Sequence, residues 1–453
     1  MKLIYQVDDK PKFGELVVFA IQQLLAIMAA TLVVPVIVGN GMQPAAALFG
    51  AGVGTIIYVL FTKKKSPVFL GSSFAFLGSM AAAFAGAGTV AVGYLGLILG
   101  AIFAGLVYVV IAAIVKFAGV EWIDKLMPTV VIGPTVAIIG LSLAGNAMGD
   151  IVTGGVKVDG VAVANPKAAL LCGLVTITVT MISSVYGKKA GKLIPFIFGI
   201  LAGYAVAAVF TIIGTAANID AIKVLDVSPF KALVADGVGV STFLTLPSFT
   251  FITAMGAFAD GFSGSYVLTI FVAYVPVAFV VFAEHIADHK NISSIIEKDL
   301  LKDPGLHRTL LGDGVGSMVG AIFGGCPNTT YGESIGCVAI TKNASVYTII
   351  AAAVGAIIIS FLAPFVAFVN SIPSCVMGGV CMALYGFIAV SGLKMIQDVD
   401  LNQNKNLFVV SVILIAGIGG LTVNFGAVTI TEVACALILG ILTNLLVKNG
   451  PEQ

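Results

Sequence analysis

Glu284 and Asp288 stand four residues apart in "AEHIADH", and Glu333 follows in "CPNTTYGESIG". Four residues is about one helical turn, so the first two side chains share a face. An ionised carboxylate accepts hydrogen bonds from N–H donors, and a protonated one carries a proton. All three lie in long stretches of Ala, Val, Ile, Leu, Gly and Phe. A carboxyl group in hydrocarbon is costly and is read as functional by default. Asp288 also sits close enough to Lys290 for its side chain to snorkel toward loop water. Glu15, Asp313 and Glu432 lie near the ends of apolar runs, where water can solvate them, and read as structural. "HIADH" has the spacing H-x-x-D-H, close to the H-x-x-E-H of inverted zinc proteases. His285 and His289 could share a metal. The acid is Asp rather than Glu, however, and the third histidine, His307, lies beside Arg308. An intramembrane hydrolase is therefore the lesser alternative, and neither a metal nor a cofactor is expected.

The elements that must position these groups follow from composition. Of 453 residues, 59% are hydrophobic and 10% charged, against about 25% charged in a soluble domain. Mean hydropathy is +1.10. A water-soluble fold cannot hide so much apolar surface, so the solvent is a bilayer, and the 53 glycines suit close helix packing there. A net charge of +1 gives no sign of nucleic-acid binding. The six cysteines form no CxxC pair and read as small buried apolar residues. The first apolar run is too long for a signal-peptide core and reads as a span.

Fourteen spans are expected, at 14–38, 44–62, 68–86, 91–118, 127–149, 168–186, 193–214, 266–290, 308–325, 327–341, 345–370, 373–393, 406–425 and 427–447. Most approach the ~20 apolar residues that cross a bilayer. With the N-terminus in the cytoplasm, 19 of the 23 basic residues fall inside, Lys2, Lys63–Lys65, Lys125, Lys188, Lys189, Lys192 and Lys448 among them. That is the asymmetry of the positive-inside rule. Seven spans precede the outside connector 215–265 and seven follow it, which makes 14–214 and 266–447 an inverted repeat of the secondary-transporter kind. Residues 1–13 and 448–453 are then cytoplasmic tails.

Spans 3 and 10 are short and open after Pro67 and Pro327 with "VFLGSS" and "NTTY". Irregular backbone survives at membrane depth only where protein or a cavity surrounds it. The two stretches are expected to run extended and to pair, with half-helices starting near Phe74 and Glu333. Half-helix N-termini offer free N–H groups and partial positive charge. Gln22 and Gln23 in span 1 precede Ser72 much as Glu284 precedes Glu333, and matching interruptions point to a midplane site.

These residues carry a resemblance. "AEHIADH", "KDLLKDPGLHRTLLGDGVGSMVGAIFGGCPNTTYGESIGCVAITK", "QQLLAIMAATLVVPVIVG", "GSSFAF" and "IPSCVMGGVCMALYG" resemble the nucleobase–ascorbate transporter family, its bacterial uracil permeases most closely. The family signature is Gln or Glu, Asn, any residue, Gly, four of any kind, Thr, then a basic residue or Gly. "ESIGCVAITK" matches it from Glu333 to Lys342, with Ser334 in place of Asn. The resemblance implies an all-α polytopic fold of fourteen spans in a seven-plus-seven inverted repeat. It implies a substrate-holding core of spans 1–4 and 8–11, and a gate of spans 5–7 and 12–14 that also forms a homodimer. It implies proton-driven uptake of a nucleobase, uracil first, across the cytoplasmic membrane. Xanthine or another purine is the near alternative, and an anion exchanger or channel on the same fold the distant one. Substrate contacts are implied for Glu284, Glu333, Ser73, Phe74, Tyr331 and Gly332, with the rings of Phe74 and Tyr331 walling the base. Proton coupling falls to Glu284, with Asp288 as an exit step where uracil permeases carry histidine. The chemistry agrees, because uracil presents N–H donors and C=O acceptors along one planar edge.

Overall fold

The computed structural model describes residues 3–119, 122, 128–158, 161–235, 237–397, 399–425 and 428–447. Lys2, Lys125, Lys448 and the 448–453 tail lie outside the described residues, as do Met127 and Ala427, the first residues assigned to spans 5 and 14. Apolar runs fold as helices because each backbone polar group is then paired within its own segment. The principal helices are α1 (Phe13–Val38), α2 (Pro44–Phe61), α3 (Leu77–Ala85), α4 (Val90–Ala118), α5 (Thr129–Ser142), α6 (Ala144–Asp150), α7 (Pro166–Tyr186) and α8 (Pro195–Ala217). They continue as α9 (Gly264–Ile296), α10 (Leu306–Gly324), α11 (Gly332–Thr341), α12 (Val346–Ile359), α13 (Ser374–Met395), α14 (Asn404–Ile418) and α15 (Glu432–Val447). Among the described residues, 8 helices are long and apolar enough to cross a membrane, α5 and α6 counting as one. Side-chain caps fix three starts: Thr89 accepts from Val92 N before α4, Asn165 from Lys167 N before α7, and Ser263 from Tyr266 N before α9.

Three stretches differ from their expected form. Span 11 breaks at Ser360–Leu362, and a second helix, Ala363–Ser371, starts with Pro364 in its first turn. Proline favours that position and disfavours helix before it. Span 13 ends as helix at Ile418, and Val423–Phe425 pairs with Val428–Ile430 as a hairpin, so span 14 is helical only from Glu432. The β-branched run there favours strand over helix. Span 5 turns at Leu143 between α5 and α6. The connector 215–265 holds short helices at Ser228–Ala232, Val240–Phe243, Thr250–Ala254 and Ala257–Asp260.

Two sets of helices emerge from the packing. In one, α10 lies between α2 and α4, α12 lies against α1 and α2, and α9 against α4 and α3. In the other, α13 lies against α5 and α7, α14 against α5 and α15, and α7 against α8. Backbone meets backbone at the centre of each set. A Cβ on Gly50 of α2 would come 2.4 Å from the carbonyl oxygen of Gly320 on α10, and one on Gly140 of α5 would come 2.1 Å from that of Tyr385 on α13. Only glycine permits such crossings, in the manner of small-residue interfaces between membrane helices.

Strands β1 (Leu70–Ser72) and β2 (Asn328–Thr330) pair antiparallel, with Gly71 opposite Thr329. The pairing continues through Ser73 N to Pro327 O (2.9 Å) and Tyr331 N to Phe69 O (3.2 Å). Helix side chains satisfy the outer edges: Leu70 N donates to Thr55 Oγ1 (2.9 Å), and Asn328 Nδ2 donates to Gly50 O (3.2 Å). Irregular backbone is thus fully enclosed by protein. At one end of the molecule, the N-terminal segment runs along the loop after α11. Ile4 N donates to Lys342 O (2.8 Å) and Ala344 N to Tyr5 O (2.9 Å). Lys298 lies 3.6 Å from Asp8, and Lys65 lies 2.6 Å from Asp303, so several basic loops share this end.

Candidate functional site

A cavity of about 370 Å³ opens between α9 and α11 on one side and α7, α8 and α13 on the other. Glu284 and Asp288 reach it from α9, and Gly332 and Glu333 from the start of α11. The opposite wall includes Phe196, Leu384, Phe387 and Ser391. The continuous turns of α9 put both of its acids on the cavity face and turn His285 and His289 into the protein interior. Asp288 does not snorkel toward Lys290. Its Oδ2 accepts from Thr330 Oγ1 at 2.7 Å, which ties it to the end of β2.

Helix α11 begins without a side-chain cap at Tyr331, and Gly332 is exposed to the cavity. Its first N–H groups are therefore available as donors beside the Glu333 carboxyl. Acceptors and donors stand together, with apolar side chains opposite. Such a surface fits a neutral polar ring better than an ion. The short 3-10 turn Phe74–Phe76 leads into α3, likewise without a side-chain cap.

Ser73, Phe74 and Tyr331 are placed differently from the other sequence-selected residues. All three are buried and none lines the cavity. Tyr331 donates through its hydroxyl to Ser72 O (2.7 Å), and its ring lies against Gly71, so it clamps the two strands. Phe74 meets Tyr385 of α13 edge-on, with ring centroids 5.9 Å apart. The hydroxyls of Ser72, Ser73 and Tyr385 are buried; Ser73 lacks a hydrogen-bond partner among the described residues, and Ser72 and Tyr385 have only the weakly bonding thiols of Cys326 and Cys381 beside them. Unpaired buried hydroxyls are uncommon in a settled core, and groups that await a ligand or water account for many of them.

The sequence marked Ser334 and Gln23 without giving them a structural role and left Tyr385 unread. Ser334 accepts from Phe69 N at 3.0 Å, and Gln23 Nε2 donates to the same hydroxyl oxygen. This small residue thus joins α1, the approach to β1 and α11. Tyr385 had no signal of its own, because an isolated tyrosine in an apolar run is common in membrane helices.

Asp313 is the plainest correction. It is wholly buried, not solvated at a span end, and its Oδ2 lies 2.7 Å from His285 Nδ1. Hydrogen-bond bookkeeping assigns the protons. Thr309 Oγ1 donates to Leu306 O (3.0 Å), so His285 Nε2 must donate to Thr309 (2.9 Å). A bare nitrogen lone pair facing a carboxylate would repel it, so a proton lies between His285 Nδ1 and Asp313. His289 Nδ1 donates to His285 O (2.7 Å), and its Nε2 accepts from Tyr58 (2.6 Å), whose hydroxyl accepts in turn from Ser66 (2.6 Å). Both histidines of "HIADH" are thus engaged in protein hydrogen bonds. Among the described residues, no cluster of three His, Cys, Asp or Glu side chains is placed to hold a metal.

Comparison with known proteins agrees with this architecture. The model of a family described as the Permease family (Xan_ur_permease) matches residues 14–426. The uracil permease of Bacillus caldolyticus is 38% identical over 457 aligned residues, covering 100% of this chain and 96% of the relative. Those of Bacillus subtilis (strain 168) and Escherichia coli (strain K12) are 37% and 35% identical, covering 99% and 98% of this chain and 96% and 93% of theirs. Among solved structures, the transmembrane domain of the cyanobacterial bicarbonate transporter BicA superposes with a TM-score of 0.60 at 14% identity, covering 98% of this chain and 100% of that one. The murine Slc26a9 anion transporter superposes with a TM-score of 0.61 at 12% identity, covering 97% and 69%. At such identities the structural likeness speaks for a transporter-like fold alone. The full-length matches to permeases at more than a third identity place the chain in the Permease family, as a multi-pass membrane transport protein and not an enzyme.

Proposed function

We propose that this chain is a uracil permease that takes up its substrate together with protons. The observation that carries the reading is the cavity in which Glu284, Asp288 and Glu333 face the open N-terminus of α11. The names of the full-length relatives point to the same substrate. Glu333, beside the free N–H groups, is the main substrate acceptor. Glu284, on a continuous helix one turn from Asp288, is the proton carrier. Ser73, Phe74, Tyr331 and Tyr385 form the inner wall against which the base settles when the two helix sets shift.

The finer architecture is part of the proposal: fourteen spans in two inverted sets of seven. Its support is that the main packing pairs have counterparts seven spans away. The contact of α4 with α9 is matched by α12 with α1, α4–α10 by α12–α2, α7–α13 by α14–α5, and α7–α8 by α14–α15. The two glycine crossings, α2–α10 and α5–α13, and the β1–β2 pair are each their own counterpart. The set built on α2, α4, α9, α10 and α12 is the core, and the set built on α5, α7, α8 and α13–α15 is the gate. Exposed apolar residues on α7 and α8, such as Leu174, Met181 and Ile212, suit lipid or a second copy at the gate. The basic loops gathered around the N-terminal segment favour cytoplasmic termini. An anion substrate is disfavoured by the three carboxyl groups in the cavity.

Equilibrium binding to the purified protein tests the substrate. Labelled uracil should bind and resist displacement by equal concentrations of xanthine, adenine and sulfate. Displacement by xanthine at a tenth of the uracil concentration would move the assignment to purines, and displacement by sulfate would move it to anions.

A further inference from the structure

The two helix sets meet at several places, α9 against α15 and α5 and α1 against α8 among them, and one short element joins them at the rim of the cavity. The chain leaves α7 at Tyr186 and enters α8 at Pro195 by way of a small helix, Lys189–Leu193, which lies against α11. Leu193 is buried together with Ala26 of α1 and Cys337 of α11, and Ile194 packs beside them. The seat is apolar, small and separate from the large hydrophobic cluster of the protein. Lys192, the residue before it, is exposed and lines the cavity that holds Glu284, Asp288 and Glu333. It is the one basic side chain among the cavity's described lining residues.

We propose that the Gly187–Ile194 segment is a releasable latch between the two helix sets: Leu193 seats on Ala26 and Cys337, and the seat holds Lys192 at the cavity as counter-ion to its carboxyl groups. This rests on the transporter reading above, in which the two sets move past one another. A contact of three side chains is small enough to break and re-form in each cycle. A lysine has the reach and the compact charge to follow the acids without fixing one geometry. When Leu193 leaves its seat, the positive charge leaves the cavity with it, and the acids are free to exchange protons and substrate.

The native Cys337 supplies one half of a test. Leu193→Cys places a second thiol in the seat, while the six native cysteines are all buried. In proteoliposomes, a short bifunctional methanethiosulfonate should link Leu193→Cys to Cys337 and slow uracil uptake at least tenfold. Reductant should restore uptake, and the Leu193→Cys/Cys337→Ser variant should be unaffected. A linked protein that transports at the unlinked rate overturns the latch. A second readout needs no transport. The thiol of Leu193→Cys in the Cys337→Ser background should react with a bulky maleimide in the folded protein, because the seat opens; a thiol that stays unlabelled means the seat is fixed and the latch is wrong. Labelling without any uracil uptake by the unmodified protein would instead fault the substrate assignment. For the charge, Lys192→Gln should slow uptake several-fold, and Lys192→Arg should stay within twofold of the native rate. Equal rates for all three would remove the counter-ion role.

Discussion

Glu333 and Glu284 share a cavity but not a neighbourhood, and the difference underlies the roles proposed for them. Glu333 stands in the first turn of α11 beside N–H groups that no side chain caps. Replacing its carboxylate by an amide exchanges a charged acceptor for a neutral one of about half the strength. Glu333→Gln should therefore lose uracil binding by tenfold or more, measured with labelled ligand on purified protein. Glu284→Gln should retain part of the binding but no longer concentrate uracil under a proton gradient. These acids were legible in the sequence because a charge within an apolar run is conspicuous. Asp313 was misread for the opposite reason. It follows Arg308 closely and sits among glycines, and nothing local tells that His285, from another helix, takes it out of water. Breaking a buried pair of this kind costs about 3–5 kcal/mol. Asp313→Ala should lower the detergent unfolding temperature sharply, and an unchanged melting curve would argue against the pairing. Phe74 and Tyr331 were selected as ring walls, yet both are buried beyond the cavity. Tyr331→Phe keeps the ring and loses the hydroxyl's bonds to Ser72 O and Thr31 and should keep uracil affinity within a few-fold, whereas Phe74→Ala should weaken binding without unfolding the protein. Equal affinities for Phe74→Ala and native protein would place the base elsewhere.

At the scale of elements, the fold turns on two backbone-to-backbone crossings and one buried two-stranded pair. Gly50 cannot bear a Cβ without displacing the Gly320 carbonyl on α10. Overpacking of this sort costs about 1–3 kcal/mol. Gly50→Ala should reduce the yield of monodisperse protein, while Gly355→Ala, whose nearest neighbour is Leu24 Cδ2 at 3.5 Å, should not. Similar elution profiles for the two would remove the special role of the α2–α10 crossing. The strands were traceable to "LGSS" and "NTTY", because proline and β-branched or small polar residues interrupt the helical pattern there. Where composition stays apolar the sequence is less informative. The break at Ser360–Leu362 lies in a run whose hydropathy continues without a drop, whereas the turn at Leu143 and the paired strands Val423–Phe425 and Val428–Ile430 fall beside glycine- and polar-containing stretches that still read as span. Hydropathy reports depth in the bilayer, and it does not report whether the chain crosses there as one helix or as two.

For the whole molecule, the account is that two helix sets, one carrying three carboxyl groups and one presenting a mostly apolar face with Lys192 at its rim, move relative to each other and carry a neutral base with protons across the membrane. Charge asymmetry and the odd number of spans on each side of the connector are what led the sequence reading to an inverted arrangement. The pairing of packing contacts seven spans apart supports it independently of charge. The division of labour between the sets was not readable from composition, since both are equally apolar, and it is what the resemblance implies. The central claim is coupling, and one measurement addresses it most directly: uptake of labelled uracil into proteoliposomes whose exterior is made more acidic than the interior, with no other gradient. The account predicts that native protein raises internal uracil well above the external concentration, that a proton ionophore collapses the accumulation, and that Glu284→Gln protein only equilibrates it. Accumulation by Glu284→Gln equal to that of native protein, or native uptake that never exceeds the external concentration, would contradict it.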